Sequence, residues 1–106
     1  MVKPLSVKQL SERLKRGDRV IVLDVREPSE IAIASLPGTL NIPMNSIPAR
    51  ADELPHDQDI VVMCHHGMRS QQVANYLAGT GFEKLYNLTG GIAAWSQDVD
   101  PTTPTY

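Results

Sequence analysis

Apolar positions along the chain fall into short unbroken runs separated by stretches of helical spacing. Val20-Ile21-Val22-Leu23 and Ile60-Val61-Val62-Met63 are continuous and rich in β-branched residues, the pattern of strands covered on both faces. Leu40-Asn41-Ile42 is a briefer strand closed by Pro43, and Leu85-Tyr86-Asn87-Leu88 is a last one. Between them lie the helices. Ser6 can cap a helix, Gln9 completes a capping box, and Leu5 can staple onto Leu10. Val7, Leu10 and Leu14 recur at helical spacing up to Gly17. Pro28 suits the first position of a short helix. Residues 47–54 fit either a short helix or a loop. Val73, Ala74, Leu77 and Ala78 mark the buried face of a helix over 71–78, stopped by Gly79 or Gly81. Gly90-Gly91 opens a final helix carrying Trp95, and an irregular tail follows from Asp98.

Strands alternating with helices predict an α/β fold with a mostly parallel sheet of about five short strands and helices on both faces. Ligands of such sheets bind beyond the carboxyl ends of the strands. Asp24–Arg26, Cys64–Ser70 and Leu88–Gly91 all fall at such ends, so the pattern gathers them at one rim. Tyr76, Phe82 and Trp95 read as core aromatics.

The chemistry concentrates in Cys64-His65-His66-Gly67-Met68-Arg69-Ser70. A cysteine ending an apolar run is often only a small buried hydrophobe. A core cysteine, however, needs no Gly-x-Arg-Ser at a helix start. A strand that ends in cysteine, turns through glycine and opens into a helix sets the thiol in a cup of backbone N–H groups at a positive helix end. That favours thiolate, the reactive form. Gly67 supplies a backbone conformation closed to side chains. Ser70 either caps the helix or points its hydroxyl into the cup. Arg69 stands at the wrong helix end for a cation, which calls for an anion beside it, and a thiolate, persulfide or bound oxyanion fits. His65 and His66 line the cup with their backbones and turn their rings to solvent or donor. Together with Cys64 and His56 they raise a metal site, but adjacent loop residues rarely aim at one ion and no His-x-x-x-His or Cys-x-x-Cys spacing is present. No metal is expected.

Composition narrows the partners. The 106 residues suit one domain over 1–106, with 98–106 as its irregular end. Ten basic and twelve acidic residues leave a net charge of −2, no reason to invoke nucleic acid or an anionic membrane. Aromatics make up 5% of the chain, too few for a base-stacking platform. One cysteine cannot form an internal disulfide, which makes a reducing cytoplasm the expected setting.

The order Cys-x-x-Gly-x-Arg-Ser between strand and helix resembles the active loop of rhodanese domains. Asp24-Val25-Arg26-Glu27-Pro28-Ser29-Glu30 and Asn87-Leu88-Thr89-Gly90-Gly91-Ile92-Ala93-Ala94-Trp95 match further stretches, so the likeness spans Leu5 to Trp95. It implies the rhodanese-like fold and a sulfurtransferase that carries sulfur as a persulfide on Cys64. The loop His65 to Ser70 would bind substrate. Asp24 and Arg26 would stand behind it as supports, and no metal or organic cofactor would be required. A small sulfur donor, thiosulfate or a persulfide, and a thiol or protein acceptor are the implied partners. The same fold also implies two rivals. One is a cysteine-dependent phosphatase or arsenate reductase; those relatives carry five residues between cysteine and arginine, where four stand here. The other is a binding module without turnover. Ala34-Ser35 replaces the usual Gly-His, Ile31 stands where an aromatic is common, and Asp98–Tyr106 resembles tails of rhodanese domains fused to adenylyltransferases.

Overall fold

The computed structural model describes residues 1–106. Five strands, β1 (Lys3–Leu5), β2 (Val20–Asp24), β3 (Leu40–Asn41), β4 (Asp59–Met63) and β5 (Leu85–Leu88), form one sheet in the order β1-β5-β4-β2-β3. Every pairing is parallel. The two unbroken apolar runs, β2 and β4, lie side by side in the middle, with Val20 opposite Asp59 and Asp24 opposite Met63. A strand covered on both faces reads as a continuous apolar run, and only these two carry one of four residues.

Five helices cover the sheet: α1 (Val7–Lys15), α2 (Pro28–Ile33), α3 (Ile47–Arg50), α4 (Met68–Gly79) and α5 (Gly91–Asp98). Alternate residues of the central strands divide the core in two. Ile60, Val62 and Cys64 face Ile47 of α3 and Val73, Ala74 and Leu77 of α4. Val61 and Met63 face Val7 and Leu10 of α1 and Ile92 and Trp95 of α5. Cys64 thus enters the α4 side of the core by strand parity alone. The expected capping box at Ser6 and Gln9 is present, and Pro28 opens α2. Helix and loop were both open over residues 47–54; residues 44–53 form three short helical turns in succession.

Two expectations change, and the tail, which holds no helix or strand, gains packing contacts. Residues 3–5 are a strand on β5 as well as the approach to α1. Leu14 and Tyr76 are exposed. Tyr76 turns off the buried face of α4, whereas Leu14 shares the face of Val7 and Leu10 but stands in the last turn of α1. Phe82 and Trp95 are core as expected. The segment after α5 is not a loose end: Thr103 is buried, the Ser96 hydroxyl donates to the Pro104 carbonyl at 3.5 Å, and Tyr106 returns to the rim of the sheet.

The start of α5 locks onto the loop after β4. Ile92 N–H donates to the Cys64 carbonyl at 3.0 Å, and Ala93 N–H to the His65 carbonyl at 3.1 Å. Gly91 permits this approach, since it sits at φ +59° and a β-carbon there would come within 2.4 Å of both carbonyl oxygens. Gly91→Ala is therefore expected to cost about 2 kcal/mol or more, from backbone strain plus collision. A urea melt against wild type checks it.

Candidate active site

Cys64 lies one residue past β4, and only 1% of it is exposed. The chain then turns at Gly67, whose φ of +113° is open to few residues but glycine, and α4 begins at Met68. Gly67 N–H points back at the Cys64 sulfur at 3.0 Å, and the amides of His66 and Ser70 add to it. The Ser70 hydroxyl lies 3.3 Å from the sulfur. Burial pushes the thiol pKa up, but the Ser70 hydroxyl and the three amides outweigh it and hold the thiol below its ordinary value. The sulfur is buried, yet its hydrogen-bond partners favour the anionic form.

Ser70 has one hydroxyl hydrogen and two claimants for it. Its oxygen lies 2.5 Å from the Asn87 side-chain oxygen. Asn87 cannot turn that oxygen away, because its nitrogen donates to the Gly67 carbonyl at 3.1 Å and to Gln71 Oε1 at 3.1 Å. With Ser70 donating to Asn87, the Ser70 oxygen is free to accept from the Cys64 thiol; a Ser70 hydrogen turned to the sulfur would leave the Asn87 oxygen without it. Asn87, on β5, also anchors the turn through Gly67. Asn87 was read only as part of the last strand and of the Asn87–Trp95 stretch, and spacing gave no hint that it meets Ser70.

Asp24 and Arg26 are both fully buried at the end of β2. Arg26 Nη2 and Nε donate to the Asp24 carboxylate at 2.8 and 3.0 Å, and Nη2 also donates to the Ala34 carbonyl at 2.8 Å. Arg26 Nη1 donates to the Tyr106 hydroxyl at 2.9 Å. No buried side-chain nitrogen or oxygen in the chain lacks a partner. This pair joins α2, the turn at Ala34 and the tail.

The anion beside Arg69 is the Glu30 carboxylate of α2, gripped by both ends of the guanidinium at 2.7 and 2.8 Å. Glu30 was read only as part of the Asp24–Glu30 stretch, because nothing in sequence links positions so far apart. Its carboxyl is pulled down to about 2, first by Arg69, against burial, and then by the Tyr106 hydroxyl, which donates at 2.8 Å. Arg69 in turn is raised above its ordinary value, chiefly by Glu30. His65 stacks on the Tyr106 ring at 3.9 Å and lies 4.0 Å from His66. Burial and the neighbouring His66 push His65 below the usual histidine range. His66 and Met68 are exposed. His56 is elsewhere, stacked on Phe82 at 3.8 Å.

Residues 6–98 match the family model of the rhodanese-like domain. The chain belongs to the rhodanese-like domain family. It is 41% identical over 97 residues to a sulfurtransferase of Allochromatium vinosum, covering 92% of this chain and 91% of that one. To a thiosulfate sulfurtransferase (GlpE) of Pseudoalteromonas translucida it is 37% identical, over 88% of each chain. A rhodanese-like domain protein of Staphylococcus aureus superposes with a TM-score of 0.86 at 28% identity, over 99% of both chains. The rhodanese-like fold with five parallel strands is thereby established, and the relatives place this rhodanese-like chain among sulfurtransferases.

Two outcomes follow from the polar frame. Arg26→Met leaves Asp24 buried without its cation and is expected to cost about 3–5 kcal/mol. Asp24→Leu combined with Arg26→Met should cost less than Arg26→Met alone, and denaturant melts of both variants check the order. The Glu30 carboxyl is lower in the folded chain than its ordinary 4.5. Its contribution is therefore complete above about pH 4.5 and is lost as pH falls towards about 2. Urea melts across that range should show a shallower acid slope for Glu30→Gln than for wild type.

Proposed function

We propose that this rhodanese-like chain is a sulfurtransferase that carries a sulfane sulfur as a persulfide on Cys64. One observation carries the reading: the only cysteine has backbone amides and the Ser70 hydroxyl aimed at its sulfur. The thiolate attacks the outer sulfur of a donor such as thiosulfate. A new sulfur–sulfur bond forms as the old one breaks, and sulfite leaves with the electron pair. The amides that held the thiolate then hold the terminal sulfur of the persulfide. A thiophilic acceptor attacks that sulfur (cyanide in an assay, a thiol or protein in a reducing cell) and returns Cys64 to thiolate. Every bond is made and broken at sulfur, so the step draws on neither metal nor organic cofactor.

The residues divide the work. His66, Gly67 and Ser70 stabilise the sulfur; Asp24 and Arg26 fix the rim from behind; His65, with Tyr106, walls one side. Met68 is exposed beside the mouth. Arg69 keeps the loop tied to α2 through Glu30. Phosphoryl transfer is disfavoured on two grounds. A persulfide adds one atom, whereas a phosphoryl group needs donors around three further oxygens at about 2.7–3.1 Å. The loop also has only four residues between Cys64 and Arg69, and its arginine is already committed to a carboxylate.

Exposure to thiosulfate or to an alkyl persulfide should add one sulfur atom at Cys64, read by mass spectrometry, and none in Cys64→Ser. Thiosulfate should support thiocyanate formation from cyanide, while aryl phosphates should not be hydrolysed. Phosphatase turnover without persulfide would overturn the proposal.

A further inference from the structure

A donor that carries two negative charges binds best beside an unpaired cation, and the cations at the mouth of this cup are already paired. Four full charges lie around it. Arg26 and Asp24 are paired with each other and wholly buried. Arg69 is the only cation within reach of solvent, and Glu30 holds both Nη1 and Nη2 of its guanidinium. The Glu30 carboxylate is itself saturated. Oε1 also accepts the Glu27 backbone N–H at 3.2 Å, and Oε2 accepts the Tyr106 hydroxyl at 2.8 Å. Four donors therefore fix it in place, and swinging it aside would break all of them. The two ends of the guanidinium are the ones that match paired sulfonate oxygens. What the mouth offers instead is carbon: Met68 stands 78% exposed beside the loop, and the stacked rings of His65 and Tyr106 form a wall.

Building on the sulfurtransferase reading, we infer that Glu30 is a specificity-determining residue: by occupying Arg69 it turns the cup from dianionic thiosulfate towards persulfides of organic thiols. The step balances without any further reactant. Cys64 thiolate attacks the outer sulfur of R–S–SH, the Cys64–sulfur bond forms, the bond to the thiol sulfur breaks, and R–S⁻ leaves with the pair. Cys64 is left as S–SH. The leaving group carries one charge fewer than sulfite, and its organic part has an apolar surface to lie against. Thiosulfate still reacts, but with no unpaired cation to bind it.

The test compares two donors that deliver the same kind of sulfur, thiosulfate and the monoanion benzenethiosulfonate, with cyanide as acceptor. Wild type should favour benzenethiosulfonate in kcat/KM. In Glu30→Gln, which frees the Arg69 charge, the thiosulfate to benzenethiosulfonate ratio should rise by about five- to tenfold. The gain should sit mainly in KM for thiosulfate and shrink as salt is added. A ratio that stays or falls means that Glu30 only positions Arg69, and overturns the inference. Should Glu30→Gln fail to fold, wild type decides alone. Its kcat/KM for thiosulfate should not fall as salt rises from about 20 to 500 mM, whereas a steep fall would show Arg69 acting as a free cation. If neither donor places sulfur on Cys64, the sulfurtransferase reading fails and the inference with it; turnover with an unmoved ratio sinks the inference alone.

Discussion

Two backbone hydrogen bonds decide which way the active loop faces: Ile92 N–H to the Cys64 carbonyl and Ala93 N–H to the His65 carbonyl. Successive peptide groups in a tight turn cannot all point inward. With the His65 carbonyl drawn outward onto the first turn of α5, the His66 N–H of the same peptide unit turns the other way, to the sulfur, where the amides of Gly67 and Ser70 join it. Helix α5 thus does for the loop's oxygens what α4 does for its anion. The arrangement needs a strand to deliver Cys64, a helix to receive the turn, and a second helix start within hydrogen-bond reach. Parallel strands β4 and β5 supply all three, since both run to the same rim and each is followed by a helix.

Around this backbone cup stands a frame of charges that cancel in pairs. Asp24 with Arg26 is buried; Glu30 with Arg69 is partly open. Tyr106 joins them, accepting from Arg26 and donating to Glu30. A thiolate in such a setting is stabilised mainly by oriented dipoles rather than by a neighbouring free cation. That suits a sulfur anion, whose charge is concentrated on a single atom. Buried pairs of this kind add little net stability over apolar packing, but breaking one is costly. Their contribution here is to hold α2, α4 and the tail in one register around the mouth.

Much of this could be read in the chain before any coordinates. Strands β2 and β4 and the helix starts at Ser6 and Pro28 are local patterns, and parity along β4 places Cys64 in the α4 face of the core. The cysteine loop carries its own punctuation in Gly67. What escaped reading was nonlocal. Lys3–Leu5 is a strand only because β5 offers it an open edge. Glu30 pairs with Arg69 across 39 positions, and Tyr106 reaches His65 from the far end of a stretch that has no periodicity. Asn87 looks like any polar residue on a half-covered strand until Ser70 is set opposite its oxygen. An unpaired arginine at a helix start correctly signalled a nearby anion, yet electrostatics alone could not say that the anion was a carboxylate of the protein.

The central claim is that hydrogen bonds hold Cys64 as a thiolate despite its burial. The rate of alkylation of Cys64 by a neutral reagent, followed from acid to alkaline pH, tests this directly. Inward amides and the Ser70 hydroxyl predict a rate whose midpoint lies below the ordinary thiol value of about 8.5. A rate that climbs only at or above that value would mean that burial prevails, and would contradict the account.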